Sequence, residues 1–142
     1  AKLGYLAVQK LLLEMDINGV AKSTLSLYVA SQIGYSRQSI LQWLAMAKPA
    51  DYAKLAPHIF TLKDDCIVAL EVLTAHANMI EKLIKRTCGA SNLPLVLMGG
   101  LAEPSNELLS TTYRNLIMPT KGNSLDGACL LAKQLFSPSA TN

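Results

Sequence analysis

Two glycines directly behind an apolar run are the residues of this 142-residue chain whose type and spacing best suit a ligand. Gly99 and Gly100 follow "LPLVLM" and precede Leu101, Ala102, Glu103 and Pro104. The pattern is that of a strand, a sharp turn and a helix start. Beyond the C-terminal end of a parallel strand, the next loop lies where open α/β sheets bind ligands. A glycine there lets a flat ring or a phosphate approach bare backbone. Glu103 and Pro104 weigh against phosphate, because a carboxylate opposes an anion at a helix start and proline removes an N–H donor. A neutral, flat group such as adenine or ribose suits the pattern better. The residues alone leave a second reading open, in which Gly99 and Gly100 only turn the chain between a strand and a helix.

A second constellation is "PTKGNSLDGACLLA", where a glycine turn leads to Ser124, Asp126, Gly127 and Ala128. Ser124 suits a helix cap and Asp126 the positive end of the helix dipole. Gly127 and Ala128 are small enough for that end to pack closely on a neighbour. Other nucleotide, hydrolase and zinc-protease signatures (GxxxxGK[ST], GxGxxG, GxSxG, HExxH) are missing from the sequence. His58 and His76 are isolated and read as structural. Asp64 and Asp65 read as a helix start, Trp43 and Tyr52 as packing residues. Three cysteines, Cys66, Cys88 and Cys129, form no CxxC pair, which disfavours a disulfide framework and a zinc site and predicts a reducing, cytoplasmic setting.

These groups must be positioned by a chain that is half apolar (51%), 16% charged and of net charge +3. That composition predicts one packed domain. Lys82, Lys85 and Arg86 fall on one exposed face of a predicted helix and lack interleaved aromatics, so no nucleic acid is expected as a partner. No apolar run approaches a membrane span, and no signal peptide is visible. Helices are predicted over residues 3–15, 23–33 and 36–47, the last with a buried face of Ile40, Leu41, Leu44 and Trp43. A short helix over 50–59 is expected to break at Pro57. The longest begins at Asp64 or Asp65 and reaches about Thr87, with Cys66, Leu70, Leu73, Ala77, Ile80 and Ile84 on one apolar line and Ala69, Val72, Met79 and Leu83 on a second.

After residue 90 the texture changes. Residues 93–98 read as a strand buried on both faces, followed by a helix of about ten residues from Glu103. Residues 116–118 read as a second buried strand, and Ser124 caps a helix over 125–136. Two strands joined by a helix make a parallel βαβ unit, which is not stable by itself. The fold class expected is therefore α/β: a helical part over 1–90, a strand-helix-strand-helix part over 91–136 and a loose tail over 137–142. Because the chain opens on Ala1 almost directly into a helix and offers no third strand, its sheet is expected to be completed by chain outside this sequence.

"LPLVLMGGLAEP" followed by "MPTKGNSLDGACLLAKQL" resembles the C-terminal end of the glucosamine and N-acetylglucosamine kinases, in the BadF/BadG/BcrA/BcrD ATPase group of the actin- and hexokinase-like superfamily. "AKLGYLAVQKLLLEMD" is similar to the helix that follows their Gly-Ser-Gly phosphate loop, often written GDEGSGAxLG, of which Ala1 to Gly4 match the end. Asn123 departs from the family pattern, which has Asp in runs such as "GDALDGA". The resemblance implies the C-terminal part of a ribonuclease-H-like ATPase lobe with inserted helices. It implies ATP as cofactor, Mg²⁺ held by residues outside this chain, and transfer of the γ-phosphoryl group to the 6-hydroxyl of an amino sugar. Gly99, Gly100, Leu101 and Glu103 would lie against adenosine, with Tyr52 and Ala56 as further contacts from the inserted helices. The start of the first helix would face the ATP phosphates. No residue here matches the family's general base or metal-holding acids, so no catalytic residue is assigned. The implied partners are the sugar, the N-terminal lobe of the same protein and a homodimer copy. Two other readings stand beside this one: an activator-type ATPase of the same superfamily, and a non-enzymatic helical interaction module.

Overall fold

The computed structural model describes residues 1–89, 94–98, 100–119 and 124–136, with side chains in the last segment described only over 129–135. The chain divides into two compact units, Ala1–Arg86 and Thr87–Asn142.

The first unit is helical. α1 (Lys2–Asn18) ends where Gly19 takes a left-handed conformation, as a C-terminal Asn-Gly pair predicts. α2 (Thr24–Ile33) and α3 (Arg37–Met46) are each capped by the serine before them: Ser23 Oγ accepts the Ser26 N–H and Ser36 Oγ accepts that of Ser39, both at 3.1 Å. α4 (Pro49–Thr61) places proline at its first position, where no N–H is needed. The core is built on Leu3, Ala7, Val8 and Leu11 of α1 against Leu25 and Val29 of α2, with Leu55 and Ile59 of α4 also buried.

Three details of this unit differ from the expectation. On α3 only Ile40 is fully buried; Trp43 and Leu44 are half-buried and Leu41 is exposed. Positions 40, 43 and 44 share a narrow stripe, and Leu41 stands about 100° around the helix from Ile40. α4 runs straight through Pro57. Proline there deprives the Ala53 carbonyl of its helical donor, but both residues are exposed, so water can replace the bond. The long helix α5 (Ile67–Cys88) starts after Asp64 and Asp65, because the Asp65 and Cys66 N–H groups both turn back to the Leu62 carbonyl, at 3.2 and 3.0 Å. Its buried stripe holds Ala69, Val72, Leu73, Ala77 and Ile84, whereas Leu70, Met79 and Leu83 of the two expected apolar lines face solvent.

The second unit corrects the α/β expectation. Among the described residues the two predicted strands are reduced to a single parallel bridge between Leu95 and Ile117. Leu95 donates its N–H to the Leu116 carbonyl at 2.7 Å and accepts that of Met118 at 2.6 Å, the parallel pattern in which one residue pairs with both neighbours of its partner. The run is not buried on both faces in this chain. Leu95 and Leu97 are half-buried, while Val96 is 52% and Met98 61% exposed. The ten-residue helix is also split, into α6 (Ala102–Asn106) and α7 (Thr111–Arg114). The ladder tightens to three-residue spacing at Leu108 and Leu109, and the Arg114 guanidinium donates to the carbonyls of Glu107 and Leu109 at 2.6 and 3.0 Å, holding the intervening turn. α8 (Ser124–Phe136) has the predicted extent, with Ser124 inside the helix. The expected roles of the side chains of Asp126, Gly127 and Ala128, and the loose tail 137–142, lie outside the described residues, as does Gly99.

Candidate functional site

In the second unit the bridge at Leu95 sets the direction in which the chain enters the turn at Gly100. Leu101 follows as the N-cap of α6, half-buried, its carbonyl accepting the Ser105 N–H at 3.0 Å. Glu103 lies exposed in the first turn, and Pro104 and the buried Ser105 anchor the short helix behind it. A Cβ placed on Gly100 would meet nothing within 4 Å among the described residues. Packing among the described residues therefore does not call for glycine at this position.

The remaining predicted residues belong to the first unit. Tyr52 is half-buried in the first turns of α4, its ring 4.9 Å edge-on from Trp43 and 5.9 Å from Tyr5. Ala56, one turn on, is fully buried, so its methyl helps to seat α4 and presents no surface to a ligand. The first turn of α1 carries no acidic residue, so no carboxylate there competes for its positive dipole end. Gly4 entered the sequence reading only as the end of the stretch resembling GDEGSGAxLG, with no structural role; an added Cβ there would stand 1.9 Å from the Tyr52 carbonyl oxygen. The available signal was a glycine in the first turn of a helix, where it costs stability unless something approaches closely.

The isolated titratable groups have structural surroundings. His76 is half-buried near Phe60. Burial lowers its pKa below the ordinary imidazole value. The His58 ring stacks on Tyr28 at 4.3 Å, and desolvation raises the Tyr28 pKa. Cys66 is buried, Cys88 half-buried and Cys129 exposed. Among the described residues no group of three or more His, Cys, Asp or Glu side chains gathers to hold a metal ion, and no helix is long and apolar enough to cross a membrane.

No family model matches the chain. It is 28% identical over 136 residues to Glucosamine kinase GspK of Vibrio cholerae, covering 93% of this chain and the C-terminal 45% of that protein. Its fold matches the crystal structure of a provisionally assigned N-acetylglucosamine kinase from Chromobacterium violaceum, with a TM-score of 0.78 at 26% identity. The chain is similar to the C-terminal lobe of these kinases. As a kinase-like lobe it spans 45% of the length of each. The structural match covers 91% of it, so the likeness takes in residues of both units.

Proposed function

We propose that this chain is the ATP-binding lobe of an amino-sugar kinase, which transfers the γ-phosphoryl group of ATP to the 6-hydroxyl of glucosamine or N-acetylglucosamine. The likeness to two proteins carrying those names supports the class of reaction. The observation that carries the residue assignment is Gly100: a glycine at the end of a parallel pairing, with space among the described residues where a side chain would stand. A flat group such as adenosine can use that space. In this reading Gly99, Gly100, Leu101 and Glu103 line the adenosine, Tyr52 offers a ring at a second contact, and the start of α1 faces the phosphates. ATP supplies the phosphoryl group, and Mg²⁺ neutralises its charge. The general base and metal-holding acids belong to the preceding lobe of a longer, cytoplasmic protein, which closes on the sugar and pairs with a second copy.

The test is made on the full-length protein. With ATP and Mg²⁺ it should convert glucosamine or N-acetylglucosamine to the 6-phosphate, and Gly100→Val should weaken ATP without weakening the sugar. An intruding side chain at a packed contact costs roughly 1–3 kcal/mol, or about 5- to 150-fold in affinity. Wild-type ATP affinity in a folded Gly100→Val variant would remove Gly100 from the site. Hydrolysis of ATP that no amino sugar stimulates would favour the activator-type ATPase instead.

A further inference from the structure

We infer that Gly4 and the ring cluster Tyr5, Tyr52 and Trp43 form a seat that fixes the first turn of α1, so that nucleotide affinity depends on Gly4, Tyr5 and Trp43, which never touch the nucleotide. This rests on the reading above, in which the start of α1 faces the ATP phosphates. Gly4 is the third residue of α1 and is buried. A Cβ there would lie 1.9 Å from the carbonyl oxygen of Tyr52 and 2.7 Å from its carbonyl carbon. Both atoms are helical backbone of α4 and cannot swing aside as a side chain would. The α4 start is itself held: Asp51 accepts the Lys48 N–H at 3.0 Å while the Asp51 N–H donates to the Lys48 carbonyl at 2.8 Å. The next residue of α1, Tyr5, reaches the Tyr52 ring, and Tyr52 reaches Trp43. Within three residues the start of α1 is thus tied to the start of α4 and the end of α3. Tyr5 is 51% exposed, so its place is not explained by filling the core.

Moving an added methyl from 1.9 Å to ordinary contact at 3.4 Å displaces the α1 start by more than an ångström. A misplacement of about 1 Å can cost on the order of 10²-fold in rate. In full-length protein, Gly4→Ala should therefore weaken ATP binding measured by calorimetry and lower kcat/KM for ATP by roughly 10²-fold, leaving the sugar KM unchanged. Alanine is the better helix former, so a loss is not a helix-propensity effect. Trp43→Ala, at a half-buried position, should weaken ATP binding about 2- to 12-fold, the worth of one aromatic pair, and Trp43→Phe should restore it. If Gly4→Ala does not fold, the two Trp43 variants decide. Lowered melting temperatures with unchanged ATP affinity in Gly4→Ala and Trp43→Ala would overturn the seat as a positioning device. If Gly100→Val weakens ATP but the seat variants do not, only the seat falls; if folded wild-type protein binds no ATP, the kinase reading falls and takes the seat with it.

Discussion

Replacing Glu14 should unlatch the loop between α1 and α2 and remove an acid-sensitive part of the stability. Its Oε2 accepts the backbone N–H groups of Lys22 and Ser23, at 2.8 and 3.0 Å. Ser23 in turn caps α2, so one carboxylate positions both the loop and the helix start. Partial burial alone would raise the Glu14 pKa. The hydrogen bonds from Ser23 and from the Lys22 backbone outweigh it, and the pKa falls below its ordinary value of 4.5. Hydrogen bonds to a charged group contribute about 1.5–3 kcal/mol each. Lys22 is exposed, so water recovers much of one bond when the carboxylate is removed, and Glu14→Ala should cost roughly 1–3 kcal/mol at pH 7. In a unit of this size each kcal/mol lowers the melting temperature by roughly 4–8 °C, measurable by circular dichroism. Because the folded carboxyl holds its proton less tightly than the unfolded one, its contribution is complete above the unfolded pKa. It is lost as pH falls through the lowered folded pKa. The gap between wild type and Glu14→Gln should therefore be constant near neutrality and shrink below about pH 4.5. Parallel acid unfolding of the two proteins, or an unchanged melting temperature in Glu14→Ala, would refute the latch.

Leu73 and Leu83 lie on the same predicted helix, but Leu73 is fully buried and Leu83 is 64% exposed; urea unfolding should show a loss of about 2–5 kcal/mol for Leu73→Ala and less than about 0.5 for Leu83→Ala. Gly34→Ala combines a φ of +128° with a Cβ 2.3 Å from that of Ser39, and should destabilise by more than about 1 kcal/mol in the same assay. Arg114→Met removes both guanidinium bonds to the 107–109 turn, so amide exchange should quicken at Leu108 and Leu109 while α1 protection stays unchanged. The Asp16–Arg37 ion pair is exposed on both sides, and Asp16→Asn should change stability by less than about 1 kcal/mol.

Local signals were legible wherever the cause was local. Ser23 and Ser36, where two helices were expected to begin, cap those helices, and the Asn18-Gly19 pair ends α1. What the pattern could not carry was the arrival of something distant in sequence. Pro57 reads as a breaker, yet its solvent-facing position removes the penalty that would break α4. The residues after Glu103 read as one helix until Arg114 reaches back to two carbonyls of the intervening turn. The apolar run 93–98 predicts cover on both faces, but this chain covers Leu95 and Leu97 more than Val96 and Met98. Of the candidate site, the turn at Gly100 and the first-turn position of Glu103 were visible in advance. The burial of Ala56 and the aromatic neighbours of Tyr52 were not, because they depend on how α1, α3 and α4 meet.

Gly4 and Gly100 show why a glycine's meaning depends on what surrounds it. Gly4 lies in the first turn of α1 and Gly100 just before the N-cap of α6, so both stand near a helix start. Gly4 is explained from within: the α4 backbone occupies the place its side chain would take. Among the described residues Gly100 has no such neighbour, and a residue better at holding a fixed conformation would lower the entropy cost of folding there. Packing among the described residues accounts for the first glycine and not for the second. Under the proposed function the reason for Gly100 lies in what approaches it, a nucleotide, the partner that the likeness to amino-sugar kinases puts forward.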